Sequence, residues 1–198
     1  VVRDGENVVL EPRAALVVID LQRGFDDPVW GVRNNPDCET HIAQLARMWS
    51  ATGRPIVMVR HDSVHSDSPL RPGQSGHDFK PEIADVTYDL LVTKSVNSAF
   101  IGQPALEEWL REQSIEQIAV CGIQTNMCCE TTARMGGNLG FDVLFVIDAT
   151  ATFGMRAPDG TVISADELSR VTATNLDPEF GTVVTTAQML RAAEQKPT

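Results

Sequence analysis

The feature that most limits how this 198-residue chain can fold is a recurrence. Short apolar runs, most of them rich in β-branched residues, return six times, at 14–19 (AALVVI), 55–59 (PIVMV), 90–92, 118–121, 143–147 (VLFVI) and 182–185 (TVVT). Continuous runs of this length suit strands buried on both faces of a parallel sheet. Helical patterns alternate with them. One spans 37–51, with Ile42, Leu45, Ala46 and Trp49 on a single face; a second spans 104–113. Others start near Asn126, Ser164 and Ala187, and Ser164 followed by Glu167 fits a capping box. The alternation predicts an α/β fold: a three-layer α/β/α, doubly wound, mainly parallel sheet of about six strands. The length suits a single domain over residues 1–198.

Composition narrows the partners. The net charge of −11 repels phosphate backbones, so nucleic acid is not expected. No apolar run approaches the ~18 residues of a membrane helix, and no basic, apolar signal segment opens the sequence. The expectation is a cytoplasmic protein with a small-molecule partner, assembled as a homodimer or homotetramer. Four cysteines do not make a disulfide scaffold, and no C-x-x-C is present to suggest a zinc knuckle or a redox pair. Cys128 and Cys129 are adjacent and would strain badly if joined to each other. At least one free thiol is expected.

Ligands of an open α/β sheet bind beyond the carboxyl ends of its strands. Asp20 closes the first run, His61 and Asp62 follow the second, and Lys94 follows the third. Gly122 closes the fourth, residues 125–128 open the helix behind it, and Asp148 closes the fifth. A carboxylate, a lysine and a thiol thus share one rim. A helix start and a cationic neighbour both favour a thiolate at Cys128. Asp20 can take the thiol proton and return it to a leaving amine. The alternative is bland: a lone buried cysteine is usually core, an Asp after a strand often caps a turn, and a lysine is usually solvated. Cys38 and Cys121 read as packing, Cys129 as facing the core, and Asp148 as a cap.

Three stretches carry a resemblance. VVIDLQRGF (17–25), VTKSVNSAF (92–100) and GIQTNMCCETTA (122–133) resemble, in order and spacing, the signature blocks of the isochorismatase-like cysteine hydrolases. The likeness runs over about residues 14–190 and implies a catalytic Asp20, Lys94 and Cys128. It also implies a cis peptide between Ile123 and Gln124, which would turn the Gln124 N–H towards an oxyanion beside the Cys128 N–H. The family includes nicotinamidases, N-carbamoylsarcosine amidases, ureidoacrylate hydrolases and streptothricin hydrolases. It also includes isochorismatases that cleave a vinyl ether, several of which lack the cysteine. Keeping Cys128 therefore favours C–N hydrolysis of a small amide, lactam or ureido substrate through a thioester.

Nicotinamidases carry a metal at an Asp-x-His motif after the second strand. Here the matching stretch is RHDSVH (60–65), with Val64 at the histidine position and His65 displaced by one. His61, Asp62, His65, Asp67, His77 and Asp78 are the ligand candidates, but the broken spacing argues for no metal and no cofactor. Substrate contacts are assigned to Gln22, Phe25, Trp30, Asn34, Phe100 and Met127, with Arg33 and Phe153 further candidates. Trp30 reads equally well as a wall of the pocket and as packing for its own loop. The loops at 30–36 and 68–81 look closer to streptothricin-hydrolase-like and lactamase-like members than to nicotinamidases. The rivals are a metal-assisted nicotinamidase, a vinyl-ether hydrolase, a nucleotide-binding module and a catalytically dead assembly subunit. No G-x-G-x-x-G follows the first run, which disfavours the nucleotide module.

Overall fold

The computed structural model describes residues 8–194. The strands are β1 (Ala15–Ile19), β2 (Ile56–His61), β3 (Leu90–Lys94), β4 (Gln117–Ile123) and β5 (Asp142–Ala151), then a small hairpin of β6 (Met155–Arg156) and β7 (Val162–Ile163), and last β8 (Thr182–Val184). Apart from the hairpin they form one sheet in the order β3-β2-β1-β4-β5-β8, with every neighbouring pair parallel. The order reverses between β1 and β4, so the crevice of a doubly wound sheet opens above those two strands.

Six helices cover the sheet: α1 (Cys38–Ala51), the short α2 (Pro81–Ala84), α3 (Leu106–Glu112), α4 (Glu130–Asn138), α5 (Ala165–Leu176) and α6 (Thr186–Glu194). Alternation along β1 divides the core. Leu16 and Val18 pack against Ile42, Leu45 and Trp49 of α1 and Met189 of α6. Val17 and Ile19 pack against Leu106 and Leu110 of α3, Ala133 of α4 and Leu176 of α5. Both faces of the strand are thus sealed, which is why it reads as an unbroken apolar run. The Ser164 hydroxyl accepts from Glu167 N–H at the start of α5, as the capping pattern predicts. No helix among the described residues is long and apolar enough to cross a membrane.

Two departures from the sequence expectation matter. The helix expected from Asn126 begins instead as a π-turn, Thr125–Cys129, in which Cys129 N–H donates to the Gln124 carbonyl five residues back, before α4 proper. Asp148 does not close β5, which continues to Ala151; the register against β4 shifts there, and Asp148 Oδ1 instead accepts from Thr186 N–H and hydroxyl at the start of α6.

Segment 62–80 is held to the body rather than hanging free. The buried Gln22 amide donates to the carbonyls of His61 and His77 and accepts from His61 N–H. Gly24 and Gly76 let the two loops touch: a Cβ on Gly76 would sit 2.2 Å from the Pro69 carbonyl oxygen, and one on Gly24 at 2.7 Å. Lys80, nearly buried, donates to Asp26 and, at 2.9 Å, to Glu39. Glu39 also takes a two-pronged bond from Arg33 at 2.5 and 2.8 Å.

That network has a pH signature. Burial opposes the Glu39 charge, but the bonds from Arg33 and Lys80 outweigh it and hold the carboxyl at about 2 against an ordinary 4.5. A depressed carboxyl contributes stability above its unfolded value and loses it as pH falls through the folded one. We expect urea midpoints to fall between pH 4.5 and 2, by on the order of 2 kcal/mol from this group. Glu39→Gln should be less stable at pH 7 and lack that component of the acid loss.

Candidate active site

Four strand ends build the site. β1 delivers Asp20, whose left-handed backbone (φ 48°) turns the chain while its N–H still bonds to the Val59 carbonyl of β2. A short polar side chain tolerates that conformation better than most. β2 delivers His61, β3 delivers Lys94, and the π-turn after β4 delivers Cys128. Gly122 makes the convergence possible: its φ is 128°, and a Cβ there would lie 2.0 Å from the Ile19 carbonyl oxygen. Glycine therefore lets β4 close against β1 beside Asp20. The peptide between Ile123 and Gln124 is cis, as the family resemblance implied.

Asp20 and Lys94 have fully buried side chains and meet at 2.6 Å, Nζ to Oδ2. The other carboxylate oxygen, Oδ1, is buried and has no hydrogen-bond partner among the described residues. An Asp20 oxygen, a His61 ring nitrogen and the Cys128 sulfur all lie within 4.8 Å of one another. Lys94 Nζ also lies 3.2 Å from His61 Nδ1. The thiol makes a long contact, 3.9 Å, to Asn97 Oδ1.

The electrostatics correct one expectation. The Cys128 thiol is pushed well above its ordinary range, first by burial and then by the Asp20 carboxylate, with Lys94 pulling the other way. The resting group is a thiol, not the thiolate expected from a helix start. Burial works against the Lys94 charge, but Asp20 and Cys128 outweigh it and hold the ammonium above its ordinary value. Burial and Lys94 together lower His61, so its ring is neutral near pH 7. Cys38, Cys121 and Cys129 are fully buried, and burial raises all three.

The candidate contacts separate into two groups. Trp30 lines a cleft of about 530 Å³ together with His61, Ser95, Asn97, Val29, Pro69 and Leu70; Asp20, Lys94 and Cys128 are not on its lining, and His61 and Asn97 join it to them. It also packs its own loop, donating from Nε1 to the Gly24 carbonyl and lying 5.2 Å from Phe25 and 5.9 Å from Phe153 between ring centres. Trp30 thus lines the cleft and also packs its own loop. Phe25 and Phe153 are buried behind it. Met127 is half-buried in the π-turn.

Gln22, Asn34, Arg33 and Phe100 are not placed to meet a ligand. Gln22 is spent on the loop clamp. Asn34 donates to Ser169 and accepts from Thr152 N–H, tying its loop to α5 and the end of β5. Arg33 is spent on Glu39. Phe100 stacks on Phe141 at 5.7 Å in the core beneath α4. The metal candidates scatter as well. His77 pairs with Asp62 at 2.7 Å, while His61 turns to Lys94. Among the described residues the one cluster of metal-ligating type is Asp20, His61 and Cys128, and the Lys94 ammonium already stands against two of its members. These residues do not fit a metal centre.

The model of the Isochorismatase domain matches residues 14–188. The chain belongs to the isochorismatase family. It is 36% identical over 91% of its length to an uncharacterised isochorismatase family protein of Bacillus subtilis (strain 168), covering 96% of that protein. It is 32% identical to nicotinamidase 3 of Arabidopsis thaliana over 76% of this chain and 79% of the relative. Against a streptothricin hydrolase of Streptomyces noursei it is 28% identical over 95% and 75%. An isochorismatase-family crystal structure from Chromobacterium violaceum superposes with a TM-score of 0.90 at 39% identity, covering 95% of this chain and 97% of that one. A cysteine hydrolase from Pseudomonas syringae pv. phaseolicola gives 0.84 at 28%, covering 93% and 94%. The protein is thus an isochorismatase-family hydrolase with the six-stranded parallel sheet of that fold.

A raised thiol is alkylated faster as pH rises. We expect iodoacetamide to modify Cys128 at a rate still climbing beyond pH 9, without a plateau near neutrality. Lys94→Ala should move that curve to higher pH, because the one cation lowering the thiol is gone. Peptide mapping after timed labelling measures both.

Proposed function

We propose that this hydrolase cleaves a C–N bond of a small amide, lactam or ureido substrate, with Cys128 as nucleophile and a thioester acyl-enzyme as intermediate. The observation that carries the reading is the Asp20 carboxylate: its Oδ1 is buried with no hydrogen-bond partner among the described residues, and the group lies within 4.8 Å of the Cys128 sulfur. Such an oxygen is a base awaiting a proton.

As the sulfur attacks the carbonyl carbon, Asp20 takes the thiol proton. The carbonyl π electrons move onto oxygen, and the N–H groups of Gln124 and Cys128 hold the oxyanion. The C–N bond breaks as the oxyanion collapses, and Asp20 returns the proton to the leaving nitrogen. Water then attacks the thioester, again giving its proton to Asp20. The carbon–sulfur bond breaks and the thiol is restored. Lys94 holds the carboxylate and offsets the charge that develops on sulfur. This cycle needs no thiolate at rest, so the raised thiol is consistent with it.

The wild-type protein and Cys128→Ala, screened for ammonia release from small amides, lactams and ureido compounds, test this reading. Turnover abolished in Cys128→Ala supports it, and turnover retained there sinks it. Asp20→Asn cannot carry a proton at nearly unchanged size, so kcat should fall ~100- to 10,000-fold. Chelation with EDTA should leave the activity unchanged; a loss reversed by added zinc or iron would instead favour metal-assisted chemistry.

A further inference from the structure

His61 is used by none of the steps above, yet its ring stands among all three groups that take them. A charged lysine can only donate, so at 3.2 Å from Lys94 Nζ the His61 Nδ1 is the acceptor. A neutral ring with Nδ1 accepting carries its proton on Nε2. Nε2 makes no hydrogen bond among the described residues and is not a sealed orphan, and the ring lines the cleft. The backbone of His61 is fixed on both sides by the Gln22 amide, so the ring has a set origin. Lys94 from β3 and Asp20 from β1 face it, as do Asp62 and His65 from its own loop. The Lys94 ammonium, the nearest of that set, opposes a second positive charge on the ring.

From this geometry we propose that His61 is a substrate-contacting residue, whose tautomer Lys94 fixes so that Nε2–H donates to a hydrogen-bond acceptor on the acyl part of the substrate. The inference rests on the reading of the cleft as an acyl site and narrows its substrate class. His61 and Asn97 link Cys128 to the cleft, the ring within 4.8 Å of the sulfur and Asn97 Oδ1 at 3.9 Å from it, and both line the cleft with Ser95; an acyl group held at Cys128 would extend past these residues. An amide nitrogen offers His61 no acceptor, whereas an oxo, hydroxyl or ring-nitrogen group near the scissile carbonyl does. Acyl groups of that kind are the preferred ones, and plain alkyl amides leave Nε2–H without a partner in a half-closed site.

Binding to Cys128→Ala tests this without requiring turnover. Pyruvamide carries an acceptor oxygen next to the amide, and isobutyramide has a methyl group in its place. Ligand-detected NMR titration should show pyruvamide binding about 10-fold more tightly, the scale of one neutral hydrogen bond. Two second-site variants separate contact from support. His61→Gln can place an amide N–H where Nε2–H was and should keep the preference. His61→Asn can place an acceptor where Nδ1 was, satisfying Lys94, and should erase it. Equal binding of the two amides by the parent, absence of binding, or a preference kept by His61→Asn and lost by His61→Gln would each overturn the proposal. A preference that follows the expected pattern in a protein releasing no ammonia from any amide would leave His61 in place and remove the hydrolytic reading alone.

Discussion

Two opposite charges, both fully buried, meet at 2.6 Å beyond the carboxyl ends of the strands, and the rest of the site is arranged about that contact. Asp20 and Lys94 come from strands that are not neighbours: β2 lies between β1 and β3. A buried pair of this kind contributes little net stability, but losing either partner strands a charge and costs roughly 3–5 kcal/mol. The pair therefore sets position more than it adds strength. It fixes one carboxylate oxygen and leaves the other without a hydrogen-bond partner among the described residues. It holds the ammonium where His61 and Cys128 both feel it. Gly122 serves the same contact from the other side, since any larger residue there would push β4 off β1.

The state of the thiol follows from this arrangement. One cation shared between a carboxylate and a sulfur cannot fully satisfy both, and the carboxylate holds the short bond. Burial then decides the matter in favour of the neutral thiol. A buried, protonated cysteine is a poorer target for adventitious oxidants than an exposed thiolate, so the same balance that keeps the proton on sulfur also shields it.

Much of this was legible in the sequence. The six apolar runs mark the six strands of the sheet to within a few residues, because strands sealed on both faces leave an unbroken apolar signature. The rim of strand ends identifies Asp20, Lys94 and Cys128 as neighbours in space, and the structure brings them together. What was hidden was hidden for physical reasons. Gln22 and Asn34 are polar residues near the strand-end rim and read as ligand contacts; only the fold shows Gln22 bonded to the backbone of His61 and His77, and Asn34 to the Ser169 hydroxyl and the Thr152 N–H. Phe100 lies within a signature block, but its ring points to the core. The thiolate expectation failed because spacing carries no measure of burial. His61 was seen as a strand-end residue and a metal candidate but not as a partner of Lys94, which lies 33 positions away and meets it only through the β2–β3 register.

The glycine contact between the two rim loops has a consequence for how the cleft discriminates. With Gly24 and Gly76 seated against the Pro69 carbonyl and Gln22 bridging both loops, the walls stand before any visitor arrives. Little conformational entropy is left to be lost when the slot fills. If ligands enter there, a mouth of that sort would act as a sieve of fixed mesh, rejecting by shape at the threshold rather than by moulding itself to what has entered. Altering the range of molecules admitted would therefore mean changing side chains on the walls, such as Val29, Val64 and Leu70, and not loosening the loops that carry them.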